Sequence, residues 1–442
     1  MLRIFVVSFF LYFPFTFSFA QEQEPLVIEE IIVNADYRLS DLNDIPSSVI
    51  ILDETLIQNR NAQHLEEVLL NAPNVNFSSG SSRARFYQIR GIGERGQFSE
   101  PLNSSVGVII DGIDFSGIGN ASMLYDIDQV EVFLGPQGTR YGSNALAGLI
   151  SLQSKAPTKD LSYGVKLESG DYNSNGLGGY LSGPLSERFS YRISAQQIKS
   201  DGFNMNRFLN DETNTRNERV VRGKINGELL EDVELDLTAS TIKLNNGYDA
   251  FSLNNDRDTL SDQPGSDLQD SELLSAKITV SRFKHFTFDT LLGYGDSHTE
   301  YSYDEDWVYD GFHPWGYSST DQYNRDRSTG STEFRFTSSE EGRILFDTTD
   351  WVFGFYYLGQ EESLERTYTF LTQDFISKYD TKRLAIYGET DTQLNDDWNL
   401  TFGIRGERFS ADYHDSSLVN FSPSENLVGG RMTLTYNTST ET

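Results

Sequence analysis

The chain has 442 residues, a formal net charge of −31 and no cysteine. This excludes a disulfide scaffold, a thiolate metal site and a cysteine nucleophile, and the acidity argues against the basic footprint of a nucleic-acid binder. The length supports several cores rather than one small domain, and aromatic residues make up 13%, with 23 Tyr and 30 Phe.

Residues 1–20 read as an export signal. Arg3 supplies the positive start, Ile4 to Phe17 an apolar run, and Ser18-Phe19-Ala20 a small-x-small cleavage site. A membrane anchor is the other reading, but the run is short of the roughly 20 residues a spanning helix needs. The polar QEQEP that follows is no stop-transfer flank. No later apolar run is long enough for such a helix, which leaves a soluble exported protein or a β-barrel of an outer membrane.

Residues 21–43 begin polar and acidic around one apolar island, Ile31-Ile32-Val33. A β-prone island in such a tail suits strand addition to a partner's sheet edge; it also suits an edge strand of the next domain. Residues 44–158 form a mixed α/β region. Val49 to Leu52, Phe86 to Arg90 and Val106 to Ile110 predict short strands, and Leu65, Val68 and Leu69 fall on a helical stripe ending before Pro73. Its densest stretch is Asp126 to Leu152. There an alternating run at Val130, Val132 and Leu134 breaks at Gly135-Pro136, turns through Gly138, Gly142 and Gly148, and ends in a second apolar run. Proline removes a backbone donor and glycine admits positive φ, so the stretch predicts strand, irregular turns, strand.

From residue 159 to 442 the period becomes two. Leu161, Tyr163, Val165 and Leu167 alternate with polar residues; so do Phe189 to Ala195, Val233 to Ala239, Trp351 to Tyr357 and Leu400 to Ile404. Short turns lie on one side, as at Gly183 to Ser186 and Asn395 to Asp397. Long polar segments lie on the other, at Lys199 to Arg219, Asn245 to Asp270, Asp296 to Arg327 and Gln360 to Tyr379. That asymmetry describes an outer-membrane barrel; a soluble β-sandwich is the alternative.

Other signals carry less. Gly91-Ile92-Gly93-Glu94-Arg95-Gly96 fits G-x-G-x-x-G literally, but it opens no helix whose N-terminus would hold a pyrophosphate. The five histidines show no metal-ligand spacing, so neither metal nor cofactor is expected. No catalytic constellation is legible. Asp304-Glu305-Asp306 and Glu361-Glu362 read as solvated loop faces, or as divalent-cation contacts at a lipopolysaccharide surface.

With these residues on the page, the chain resembles the TonB-dependent outer-membrane receptors. Glu29 to Ala35 is similar to their TonB box, and VEVFLGPQGTRYGSNALAG to their plug segment. Arg90-Gly91-Ile92-Gly93 and Val108-Ile109-Ile110-Asp111-Gly112 resemble two further plug motifs in the expected order. Leu134, where many members carry Arg, Ala147 in place of a glycine, and Asn34 in the box are departures.

The resemblance implies a mixed fold, a small α/β plug inside a transmembrane antiparallel β-barrel. It also implies active uptake of a scarce nutrient, most commonly a ferric siderophore, with haem, cobalamin or an oligosaccharide left open. TonB with its inner-membrane energising complex would grip Glu30, Ile31, Ile32, Val33, Asn34 and Ala35; lipid and lipopolysaccharide would surround the barrel. The plug-motif residues are Arg90, Gly91, Asp111, Gly112, Glu131, Gly135, Pro136, Gly138, Tyr141, Gly142 and Gly148. Of these, Arg90, Asp111 and Glu131, with Arg140, are candidates for charge-assisted contacts with the inner wall, or for pairing within the plug. Candidate ligand contacts are Arg83, Arg85, Glu94, Arg95 and Phe98 on the first two loops, with Phe115 and Tyr125 near the third. Their alternative is solvated loop residues.

About twelve strands are legible at roughly ten residues each, against ~22 in plugged transporters. The chain is therefore expected to be an N-terminal portion of a receptor, or a truncated one. A passive porin and a surface binding protein are the rival functions.

Overall fold

The computed structural model describes residues 32–33, 40–41, 47–79, 81–96, 99 and 103–436. A five-stranded sheet forms the first domain. Its strands run in the order Val49–Asp53, Ile127–Leu134, Gly148–Ser154, Val106–Ile110 and Ile113–Asp114. The glycine-rich stretch thus places its two flanking strands side by side and antiparallel, Val130 opposite Leu152 and Val132 opposite Ile150. Both faces of the sheet are apolar, as a two-sided core requires. Leu52, Val130, Val132, Ile150 and Leu152 point into one core; Phe133 and Leu149 point into a second, smaller one. The larger core does not stop at the domain boundary. Ile198, Val220, Ile242, Leu244 and Leu273 of the surrounding strands belong to it.

Two short helices flank this sheet. Leu65–Leu69 follows the stripe read from the sequence, and buries Leu65, Val68 and Leu69. Glu54–Asn59 was not anticipated; its signal is Asp53, whose Oδ1 caps the helix by accepting from the Leu56 N–H at 2.8 Å.

Residues 162–436 form one antiparallel sheet of thirteen strands, twelve of them long and one a two-residue piece. Its alternation separates two environments. Along Thr349–Tyr368, Val352, Leu358 and Leu364 are buried toward the lumen, whereas Phe353, Phe355 and Tyr357 are exposed on the other face. Leu384, Ile386, Phe402 and Ile404 continue that outer apolar band on adjacent strands. Exposed apolar residues in register on an outward face are the lipid-facing pattern of a membrane barrel.

The strands run well past the apolar alternation. The segment 360–379, expected to be a loop, is strand except for residues 369–374, and 245–270 leaves the long strands only over 249–264, where Asp258–Thr259 pairs with Asn204–Asn206 in a separate small sheet. Apolar alternation marks only the lipid-embedded band, while the hydrogen-bond ladder continues above it with polar residues on both faces.

Candidate functional site

The plug sheet is held against the wall by buried ion pairs. Arg83, fully buried, donates from Nε and Nη2 to the two carboxylate oxygens of Glu218 at 2.7 and 2.6 Å, and from Nη1 to Glu66 and Glu67 at 2.9 and 3.0 Å. Arg85 meets Asp267 at 3.1 Å, and Asp267 also accepts from the N–H and hydroxyl of Ser82. Asp126 is clasped bidentately by Arg192. Arg140 reaches Glu389 at 3.5 Å, and Glu389 is shared with Arg431. Fork-to-fork guanidinium–carboxylate geometry of this kind fixes orientation as well as energy. A neighbouring turn depends on glycine: at Gly142 (φ +70°) a Cβ would sit 2.5 Å from the Glu407 carboxylate of the wall.

Asp111 lies in a positive-φ turn, accepts from the Ser154 N–H and hydroxyl at 2.9 and 2.7 Å, and faces Arg222 at 3.4 Å and Lys224 at 3.7 Å. Burial alone would raise its carboxyl; the Lys224 and Arg222 cations outweigh burial and hold it below the usual carboxylate range. A carboxyl depressed in the folded state contributes its stability above the ordinary value of about 3.9, and loses it as pH falls through the lowered one. The difference in plug protease resistance between wild type and Asp111→Asn is therefore expected to stay constant down to about pH 4, then shrink. A difference already shrinking between about pH 6 and 5 would contradict this assignment.

Above the plug, the wall carries a ring of aromatics: Tyr248, Tyr301, Tyr323 and Leu364 form one buried cluster flanked by Phe251 and Tyr303. Trp307 stacks on Phe251 at 5.1 Å, and Arg366, clamped by Asp321, lies 4.9 Å over Tyr323. Next to this ring, a cavity lies between the plug and the wall. Arg85, Arg325, Arg327 and Arg383 line it, with Asn103 and Asn144. Planar rings and guanidinium groups suit a ligand with flat, anionic parts.

The residues singled out from sequence are distributed unevenly over this geometry. Arg85 borders the cavity and Glu94 lines it, its carboxylate held by the N–H and hydroxyl of Ser105. Arg83 and Phe115, expected on open loops, are instead buried. Arg83 is locked among three glutamates, and Phe115 packs where Gly295 leaves room in the wall. Tyr125 packs against Gly178 of the wall, and Arg95 is exposed. Phe98 lies outside the described residues, as do Glu30, Ile31, Asn34 and Ala35. Of the four residues weighed for wall contacts, Asp111 and Arg140 make them. Glu131 is buried within the plug and accepts from Gln129 at 2.6 Å, and Arg90 is exposed with its N–H on the Asn74 carbonyl. The wall residues Arg325, Arg327 and Arg383 and the tyrosine ring were missed. They lie on stretches read mainly as loops, where no apolar alternation advertises a strand.

Ile32–Val33 forms a two-residue strand paired with Ser40–Asp41, and Val33 is fully buried against Phe133, Ala145 and Leu149 of the second plug core.

Three comparisons bear on this arrangement. Residues 41–149 match the family model of the TonB-dependent receptor plug domain. The pesticin receptor of Yersinia enterocolitica is 23% identical over 428 residues, covering 90% of this chain and 58% of that protein. The iron-regulated outer membrane virulence protein of Vibrio cholerae is 25% identical, covering 48% of this chain and 33% of its own length. The chain spans little more than half the length of the pesticin receptor it matches. Among solved structures, the siderophore receptor PiuA from Acinetobacter baumannii superposes with a TM-score of 0.74 at 15% identity, covering 91% of this chain and 64% of that one. The ferric yersiniabactin uptake receptor FyuA from Yersinia pestis gives 0.70 at 18% identity, with 88% and 61% covered. These two likenesses concern the fold. Residues 41–149 thus match the plug domain of the TonB-dependent receptors, and that plug, seated inside a large antiparallel sheet, gives the chain the plug-and-barrel fold of such receptors.

Proposed function

We propose that this protein takes part in TonB-dependent uptake of a scarce nutrient, a ferric siderophore, across an outer membrane. The observation that carries the reading is a plug held in the barrel lumen with two distinct sides. On one side its Arg85 and Asn144 help line a cavity; elsewhere its sheet packs on the Ile32–Val33 strand. Two solved structures of the same fold are a siderophore receptor and a ferric yersiniabactin uptake receptor, which supports an iron chelate as the ligand. Residues 1–20 act as a cleaved export signal, 21–43 as box and linker, 44–158 as plug and 159–442 as barrel wall. Glu30 to Ala35 pair with TonB. Ligand contacts shift from Arg83 and Phe115 to the cavity arginines and the tyrosine ring, with Arg85 and Glu94 retained.

Uptake of a labelled ferric chelate by cells expressing the receptor is expected to stop when an uncoupler collapses the proton-motive force, while surface binding persists. A porin would give uptake indifferent to the uncoupler, and a surface binding protein would give no uptake under either condition.

A further inference from the structure

Two segments meet beside the tyrosine ring, at the end of the wall opposite the short turns: residues 249–264 and 304–319. Each adds one ring to it, Phe251 and Trp307. Polar groups tie them as well. The Asp310 N–H donates to Asp262 Oδ2 at 2.8 Å, and Gln263 Nε2 to Ser318 Oγ at 3.3 Å. At their seam lie Asp304 and Asp306, which the sequence suggests as part of a solvated loop face but which are 5% and 7% exposed. Ser261 of the other segment meets Asp304 there. Asp304 Oδ1 accepts from the Asp306 N–H at 3.3 Å, and Asp306 Oδ1 from the Ser319 N–H at 3.5 Å. Their Oδ2 atoms, like Asp262 Oδ1, are buried without a hydrogen-bond partner.

Two buried carboxylates side by side cannot both stay charged without a counter-charge. Among the described residues no cation lies within ion-pair distance of either. The arginines on neighbouring strands and loops are committed elsewhere: Arg207 to Asp258 at 2.8 Å, Arg257 to the Tyr172 hydroxyl at 2.9 Å and Arg366 to Asp321 at 2.7 Å. The other titratable groups around the pair are occupied too. Glu305 accepts from the Tyr317 and Ser319 hydroxyls, Asp249 from Asn206 and Thr259, and Tyr303 donates to Asp321. Nor, among the described residues, do three ligand-type side chains gather as a metal site needs. The counter-charge left to the pair is a proton. The two side chains lie within hydrogen-bonding reach of one another, but a carboxylate only accepts, so one of them must be protonated to donate. Burial, with Asp306 beside it, pushes the Asp304 carboxyl up to about 7. It sits well beyond the lipid band, whose last outward apolar residue on this strand is Tyr294.

We propose that Asp304 and Asp306 share one proton and act as a latch, holding the two segments together beside the tyrosine ring and releasing them when the proton is lost. Without it, two like charges face each other at a seam that water must enter to solvate them. A carboxyl raised in the closed form binds its proton more tightly there than in the open one. The closed form therefore loses stability as pH rises from about 4, near the ordinary aspartate value, to about 7, and changes no further above that. The device sets access to the lumen by the acidity of the medium.

The chain has no cysteine, so Asn254→Cys with Trp315→Cys, both at exposed positions, place one spin label on each segment. The distance between the labels is measured by pulsed electron paramagnetic resonance on the full chain in detergent, without ligand, from about pH 4 to about pH 9. The ratio of long to short distances is expected to rise by up to about tenfold per pH unit until about pH 7, then to level off. Asp304→Asn, whose amide donates to Asp306 at any pH, is expected to keep the segments together at about pH 8 and to abolish the pH dependence. Should that variant fail to fold, Asp306→Asn serves, with donor and acceptor exchanged. Distances independent of pH in the otherwise wild-type chain overturn the latch, as does an equal dependence in the asparagine variant. Closure at about pH 8 that appears only with added calcium and is reversed by a chelator also overturns it, because the pair would then hold a metal ion. None of these outcomes depends on the uptake reading, which the uncoupler experiment tests separately.

Discussion

Ile32→Pro is expected to abolish energised uptake while leaving surface affinity for the ligand unchanged. Ile32–Val33 is a two-residue strand whose backbone ladder, among the described residues, is made with Ser40–Asp41, while the Val33 side chain is buried in the second plug core. Pairing with an external strand would use the same backbone groups, so proline removes the donor and forbids the ladder without touching the lumen. Ile32→Thr keeps both the donor and the β-branched shape, and should support uptake close to wild type. Energised uptake that survives the proline substitution would remove residues 30–35 from the transport mechanism altogether.

Arg83→Ala is expected to have the largest effect on the plug itself, about 3–5 kcal/mol of docking stability. The reason lies in what remains behind. Glu218 is 0% exposed and takes both bonds of its fork from Arg83, while Glu66 and Glu67 converge on the same guanidinium. Removing the cation leaves three carboxylates, one of them without water, with only the more distant Arg216 among the described residues to offset them. Arg83→Lys should rescue little, since an ammonium cannot span Glu218 bidentately and reach the helix carboxylates too. Limited proteolysis of the plug in the folded barrel reads this directly. A plug as protected in Arg83→Ala as in wild type would show that the wall's apolar seam, through Ile198, Val220 and Leu273, suffices alone. The same experiment separates this role from a ligand-binding one, because it needs no ligand.

Some of this was readable one residue at a time. The glycine stretch after Asp126, the helical stripe at Leu65, Val68 and Leu69, and the period-two runs after residue 159 are local patterns whose cause lies within a few neighbours. Where the code was equally local but weaker, as at the Asp53-capped helix, the signal existed and was passed over. The arginines were not readable in this way. Arg83 and Arg85 stand in a Ser-rich stretch that looks like any solvated loop. Nothing near them announces Glu218 or Asp267, more than a hundred residues downstream.

Composition, periodicity and turn chemistry thus determined the architecture: a glycine-turned α/β domain followed by amphipathic strands with one lipid-facing side. Those properties are set by backbone preferences and by which face of each strand is apolar. Which charges are answered and which are left over was decided only when the sheet curled around the plug. Burial and distance are relations between remote segments, and they turned two expected ligand contacts, Arg83 and Phe115, into structural ones. The same relations left Arg383, inconspicuous in the sequence, as a buried cation held by the amide oxygens of Asn144 and Asn103 beside the Phe409 ring.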